Sequence, residues 1–190
     1  MIIQDTAIAD VKIIIPKRFG DARGYFCESY SARALANHGL AFDFVQDNQS
    51  FSAQKNTIRG LHFQGPPSAQ TKLIGCLAGA IFDVAVDLRH GSPTFGQHIA
   101  VELSAENGWQ LLVPRGFGHG FCTLTDGCLI QYKVDAYYDP QVDFGICFDD
   151  PDLNIPWPAS RAEAVLSAKD QAAPRLKDAP RVFTVEAKGA

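Results

Sequence analysis

Two short stretches hold residue types able to move a proton. In Thr57-Ile58-Arg59-Gly60-Leu61-His62-Phe63-Gln64, an arginine and a histidine stand three residues apart around a glycine. Histidine titrates near neutral pH, so His62 is a candidate base. A hydrogen-bonded core histidine is the other reading, and the segment alone leaves both open. On a regular strand side chains alternate, so Arg59 and His62 would face opposite ways. Gly60 suits a bulge that re-aims one of them. The second stretch sets His119 behind a turn, in Pro114-Arg115-Gly116-Phe117-Gly118-His119-Gly120. Lys72, Asp83 and Tyr132 are weaker candidates. Taken singly, Lys72 and Asp83 read as solvated barrel-edge charges, and Tyr132 as a core aromatic with a satisfied hydroxyl.

Such groups need a frame. The chain has 190 residues, 46% hydrophobic and 20% charged, with a formal net charge of −4. That composition is globular and excludes a disordered chain. It fits one domain over residues 1–190, with 175–190 as an extended Pro- and charge-rich tail. A net acidic chain argues against a nucleic-acid partner. The longest apolar run, 73–82, is far short of the roughly 20 residues of a membrane span, so no membrane partner is expected. The N-terminus carries Asp5 and Asp10 and lacks the basic start of a signal peptide. Five dispersed cysteines form no CxxC pair and read as reduced, mostly buried thiols of a cytosolic protein.

The middle of the chain reads as β-structure. The runs 81–87, 97–103 and 128–134 are β-branched and aromatic, and turn signals such as Gly91-Ser92-Pro93 and Asp126-Gly127 punctuate them. Thirteen phenylalanines suit such an interior. Only 31–39 and 160–167 look helical, each opened by a serine cap candidate. The expectation is mainly β: a jelly-roll antiparallel β-barrel with short flanking helices. Trp109 and Trp157 read as packing residues, and His38, His90 and His98 as surface residues.

The spacing Gly108-x5-Pro114-x-Gly116-x2-His119 resembles the second motif of the cupin superfamily, whose members are jelly-roll barrels. The first cupin motif, which supplies metal ligands, is broken here: Phe63 and Gln64 follow His62, and no Glu stands in the expected place. A facial metal site wants several convergent ligands, so no metal is expected. A longer ordered set is more specific. Gln46-Asp47-Asn48-Gln49-Ser50, Arg59-Gly60-Leu61-His62-Phe63-Gln64, Gln70-Thr71-Lys72-Leu73, Asp83-Val84-Ala85-Val86-Asp87, Ser92-Pro93-Thr94-Phe95-Gly96, Pro114 to Phe121, Tyr138-Asp139-Pro140 and Asp150-Pro151 occur in sequence. Together they resemble the dTDP-4-dehydrorhamnose 3,5-epimerase family over about residues 10–175.

That resemblance implies inversion of C3 and C5 of dTDP-4-keto-6-deoxy-D-glucose, a dTDP-sugar substrate, in dTDP-L-rhamnose synthesis. Both protons are α to the C4 ketone, so no redox cofactor is needed, consistent with the lack of a G-x-G-x-x-G fingerprint. It implies His62 as base with Asp170 orienting it, Tyr132 as proton donor, Lys72 near the C4 oxygen, and Asp83 holding Lys72 charged. It implies nucleotide and sugar contacts from Arg23, Phe26, Glu28, Gln46, Asp47, Asn48, Gln49, Arg59, His119, Tyr138, Asp143 and Lys169. Contacts near 23–28 come from a neighbouring subunit in that family, which implies a homodimer with shared sites. The chain departs from the pattern at Asp143, where a Glu is usual, and at Phe148, where a Trp is frequent. The rival readings are a C3-only epimerase of a dTDP-4-keto sugar and a metal-dependent cupin oxygenase.

Overall fold

The computed structural model describes residues 1–185. Thirteen strands make up the described fold: β1 (Ile2–Asp5), β2 (Lys12–Ile15), β3 (Arg18–Asp21), β4 (Gly24–Cys27), β5 (Gln46–Ser52), β6 (Ile58–Gln64), β7 (Lys72–Ala78), β8 (Ala80–Asp87), β9 (His98–Ser104), β10 (Gln110–Val113), β11 (Phe117–Thr123), β12 (Cys128–Val134) and β13 (Asp143–Gly145). A six-stranded sheet runs β1-β2-β10-β7-β12-β5 and a five-stranded sheet β13-β6-β11-β8-β9, while β3 and β4 form a separate hairpin. The pairings are antiparallel, as a jelly roll requires.

Each sheet is covered on both faces. Between them, Ile74, Leu111 and Ile130 of the larger sheet meet Ile81, Leu103 and Phe117 of the smaller one. Behind the smaller sheet, Leu61, Val84 and Val86 pack under Trp157, Leu176 and Phe183. Behind the larger sheet, Ile14, Leu73 and Leu112 pack under Leu35, Phe42 and Phe44. Two-sided burial explains why β11 is buried along its whole length and β8 along most of its own, without strict alternation. Each fully buried aliphatic side chain in these layers contributes about 1.5–3 kcal/mol.

The first expected helix forms as α1 (Ala32–Ala36), and Ser31 caps it by accepting from the Ala34 amide. The second does not form over 160–167. One turn closes at Ser160, whose hydroxyl and amide both donate to Glu163. Beyond it, Val165 is held extended: its amide donates to the Asn56 carbonyl, and its carbonyl accepts from the Ile58 amide. The tertiary bridge outweighs local helix preference, and a one-turn helix, α2 (Ala168–Gln171), starts instead at Ser167. The expected tail is also partly structured. Leu176, Val182 and Phe183 pack against the barrel, and Thr184 bridges to His90; the part of that tail at 186–190 lies outside the described residues. His38 is exposed, but His90 stacks on Phe95 at 4.4 Å between centroids and His98 is half-buried, so neither is a free surface residue. Trp109 and Trp157 pack as expected, the latter donating Nε1 to the Phe148 carbonyl at 2.7 Å.

Candidate active site

The apolar filling stops short of one part of the barrel. A cavity of about 410 Å³ is lined there by Arg59, His62, Lys72, His119, Tyr132 and Asp170, among others. It adjoins a second cleft of about 260 Å³ that shares His62, Lys72 and Tyr132 and adds Gln46, Asn48, Tyr138, Asp143 and Lys169. His62, His119 and Asp143 stand on the five-stranded sheet; Lys72, Tyr132 and the β5 residues stand on the six-stranded one. The two sheets therefore form opposite walls.

A register shift makes the first motif work as a unit. His119 pairs with His62, but Phe121 pairs with Arg59, so β6 carries an extra residue across this step. Gly60 lies in the bulge at φ +118°, and a Cβ there would meet the His119 carbonyl oxygen at 2.6 Å. The bulge cancels the alternation, and Arg59 and His62 both reach the cavity. Arg59 is steadied by donating to Ser52 Oγ at 3.1 Å and to the Phe51 carbonyl at 3.0 Å.

His62 Nε2 lies 2.6 Å from Asp170 Oδ1, and the His62 side chain remains 33% exposed. Asp170 is buried and also accepts from the Ser167 hydroxyl at 2.7 Å. Burial alone would raise its pKa, but the hydrogen bonds from His62, Ser167 and the Gly60 backbone prevail and hold it below the ordinary carboxylate value. An ionised Asp170 requires the hydrogen on Nε2, which leaves Nδ1 with its lone pair free to accept a proton. The Ser167-x-x-Asp170 spacing is a capping signature that could have revealed this helix start from sequence.

A second pair is deeper. His119 Nε2 lies 2.8 Å from Asp83 Oδ1, with Asp83 fully buried and its Oδ2 unpartnered among the described residues. Asp83 thus bonds His119, not Lys72, and acts on Lys72 only through space. Burial lowers the Lys72 pKa to about 8, while the charges of Asp143 and Asp83 push it back up and Lys169 lowers it further. On Tyr132, burial is the leading effect and raises the pKa; Arg59 opposes it and Asp143 adds to it. The phenol thus stays protonated at neutral pH. Asp143 Oδ2 accepts from Lys169 Nζ at 2.5 Å and from the Tyr138 hydroxyl at 3.0 Å.

Some expected contacts do not converge. On β5, Gln46 and Asn48 line the cleft, but Asp47 and Gln49 alternate to the outer face, where Asp47 pairs with Lys133 at 2.8 Å. Arg23 and Glu28 are exposed, Arg23 pairing with Asp21, and Phe26, 67% exposed, lines a groove beside Tyr25 and Leu77. None of these three lines the cavity of its own chain. Conversely, Ser50, Phe121 and Val165 line the cavity without having been singled out. Ser50 and Phe121 lie inside β5 and β11, in motifs of the ordered set, while Val165 is brought in by its bridge to Thr57.

Comparison with known proteins gives a consistent answer. Residues 5–178 match the family model described as dTDP-4-dehydrorhamnose 3,5-epimerase. The chain is 50% identical over 183 residues to the dTDP-4-dehydrorhamnose 3,5-epimerase of Sinorhizobium fredii, covering 96% of this chain and 93% of that protein. The crystal structure of the dTDP-6-deoxy-D-glucose-3,5-epimerase of Legionella pneumophila, in complex with dTDP-4-keto-L-rhamnose, matches with a TM-score of 0.92 at 45% identity, covering 97% of this chain and 98% of that one. That of the Bacillus anthracis dTDP-4-dehydrorhamnose 3,5-epimerase, with TDP and pyrophosphate bound, matches with a TM-score of 0.88 at 51% identity, covering 91% and 98%. With a cupin-like barrel, a cavity lined by His62, Asp170 and His119, and relatives of this similarity along nearly its whole length, the chain belongs to the dTDP-4-dehydrorhamnose 3,5-epimerase family.

Proposed function

We propose that this chain inverts C3 and C5 of dTDP-4-keto-6-deoxy-D-glucose to give dTDP-4-keto-L-rhamnose, in dTDP-L-rhamnose synthesis. His62 Nδ1 takes the proton α to the ketone, and Asp170 stabilises the imidazolium that forms. The electron pair moves onto the C4 oxygen, where the Lys72 ammonium offsets charge that develops only during the reaction. Tyr132 returns a proton from the other sheet, so the centre inverts. The observation that carries this reading is the division of one cavity: the His62–Asp170 pair belongs to one wall, and Tyr132 with Lys72 to the other. Family membership and the keto-sugar held by the Legionella relative support the substrate class.

Arg59 and Lys169 suit the diphosphate, since guanidinium and ammonium donors make strong bonds to phosphate oxygens, and His119 lines the cavity beside Arg59. Gln46, Asn48 and Tyr138 suit the nucleoside and sugar edges. The chain acts as a homodimer, in this reading, with Arg23, Phe26 and Glu28 serving at or near the partner's site. Support comes from Phe19, Tyr25 and Phe26, all more than half exposed on the β3–β4 hairpin, since clustered exposed apolar groups mark interaction surfaces. The five free cysteines support a cytosolic home. No helix of the described residues is long and apolar enough to cross a membrane.

NMR of the product after incubation with dTDP-4-keto-6-deoxy-D-glucose tests the assignment. The expected product is inverted at both C3 and C5. A product inverted at C3 alone, or recovered substrate, would overturn it.

A further inference from the structure

Helix α2 carries Asp170, yet it spans only Ala168–Gln171 and is too short to be stable alone. Its attachment to the barrel must come from tertiary bonds. Besides the Gly60 backbone bond to the Asp170 carboxylate, two side-chain rungs tie it to the five-stranded sheet. One is the 2.6 Å bond between His62 Nε2 and Asp170 Oδ1. The other is Lys169 Nζ donating to Asp143 Oδ2 at 2.5 Å. The rungs are neighbours at both ends. Lys169 and Asp170 are consecutive, and Asp143 lies on β13, which pairs with β6 so that Gly145 opposes His62 and Asp143 opposes Gln64. The Asp143 side chain is only 14% exposed and also accepts from the Tyr138 hydroxyl, so it is itself a fixed anchor. Asp170 also accepts from the Ser167 hydroxyl at the helix start at 2.7 Å, while Arg161 to the Gln171 carbonyl at 3.3 Å and Gln171 to the Leu166 carbonyl at 3.4 Å are longer.

A half-exposed lysine in an ion pair contributes little to global stability. Its value here is geometric. A short hydrogen bond to a base tolerates little displacement, and a 1 Å misplacement costs about a hundredfold in rate. We propose that the Asp143–Lys169 ion pair is a positioning device that holds α2 against β6 and β13 and thereby keeps Asp170 seated on the His62 imidazole. The proposal rests on the reading of His62 as the base.

The test compares wild type with Asp143→Asn, Asp143→Glu, Lys169→Met and the Asp143→Asn/Lys169→Met double variant. Two quantities are read: kcat at saturating dTDP-4-keto-6-deoxy-D-glucose, and the downfield NMR resonance of the His62 imidazole proton, assigned by its loss in His62→Asn. Saturation removes any part Asp143 or Lys169 plays in binding. Asp143→Asn and Lys169→Met are each expected to lower kcat about tenfold, and the double variant no further than either, because partners in one interaction are non-additive. Asp143→Glu keeps the charge and is expected to retain kcat within about threefold. The His62 resonance is expected to weaken or shift in both single variants. Unchanged kcat, multiplying losses in the double variant, or an unmoved resonance would each overturn the proposal. Lack of turnover by wild type would overturn the proposed reaction instead, while the resonance would still report on the positioning.

Discussion

Lys72 is pulled in two directions. Burial lowers its pKa to about 8, and the nearby carboxylates Asp143 and Asp83 oppose that fall. In the unfolded chain the same group titrates near its ordinary value, so between pH about 8 and 10.5 the unfolded state binds more protons. Stability therefore rises with pH across that window, and the cost of the buried ammonium is fully present below it. Rate should run the other way, because neutral Lys72 no longer stabilises the enolate oxygen. We expect kcat at saturating substrate to fall as pH climbs past about 8 while thermal stability does not fall with it. Lys72→Met is expected to be slower by two to three orders of magnitude, about what removing one oxyanion donor costs. A pH-independent kcat up to pH 10, or a Lys72→Met variant of near wild-type rate, would assign Lys72 to another task.

At the scale of elements, the β6 bulge decides whether the first motif is one site or two faces. Gly60 holds φ +118°, and an added Cβ would fall 2.6 Å from the His119 carbonyl oxygen and 2.7 Å from the Gly120 Cα, both backbone atoms. Gly60→Ala is expected to lose about 1–3 kcal/mol from backbone strain, with more from the clash, read as a lower urea midpoint at unchanged m-value. A variant as stable as wild type would mean that the bulge relaxes freely. The need for a glycine there was legible in the sequence, as were β12 at Cys128–Val134 and the Ser31 cap. The end of the chain was less legible. The 160–167 segment has helix-like composition, but Val165 is recruited by Asn56 and Ile58, more than 100 residues away, and no local window contains that information. Likewise Asp47 and Gln49 belong to a motif whose neighbours line the site, yet strand alternation turns them outward. The Asp83–His119 bond depends on the β8–β11 register, which spacing along the chain does not specify.

The whole molecule is acidic, at −4, yet gathers Arg59, Lys72, His119 and Lys169 around one cleft. The fold achieves this by drawing Arg59 from β6, Lys72 from β7, Lys169 from α2 and the His119 imidazole from β11 to one part of the barrel. Arg23 stays apart, on an exposed apolar hairpin. The homodimer reading assigns that hairpin to a second copy. A dimer mass in light scattering is then expected for wild type, and a shift toward monomer with loss of turnover for Phe26→Glu. A monomeric wild type that turns over normally would remove the shared-site idea. The central claim is that one histidine draws the protons at both centres. It is tested most directly by NMR of dTDP-4-keto-6-deoxy-D-glucose incubated in deuterated buffer with wild type and with His62→Ala. Wild type is expected to place deuterium at both C3 and C5, and His62→Ala at neither; exchange by His62→Ala at the wild-type rate would contradict the account.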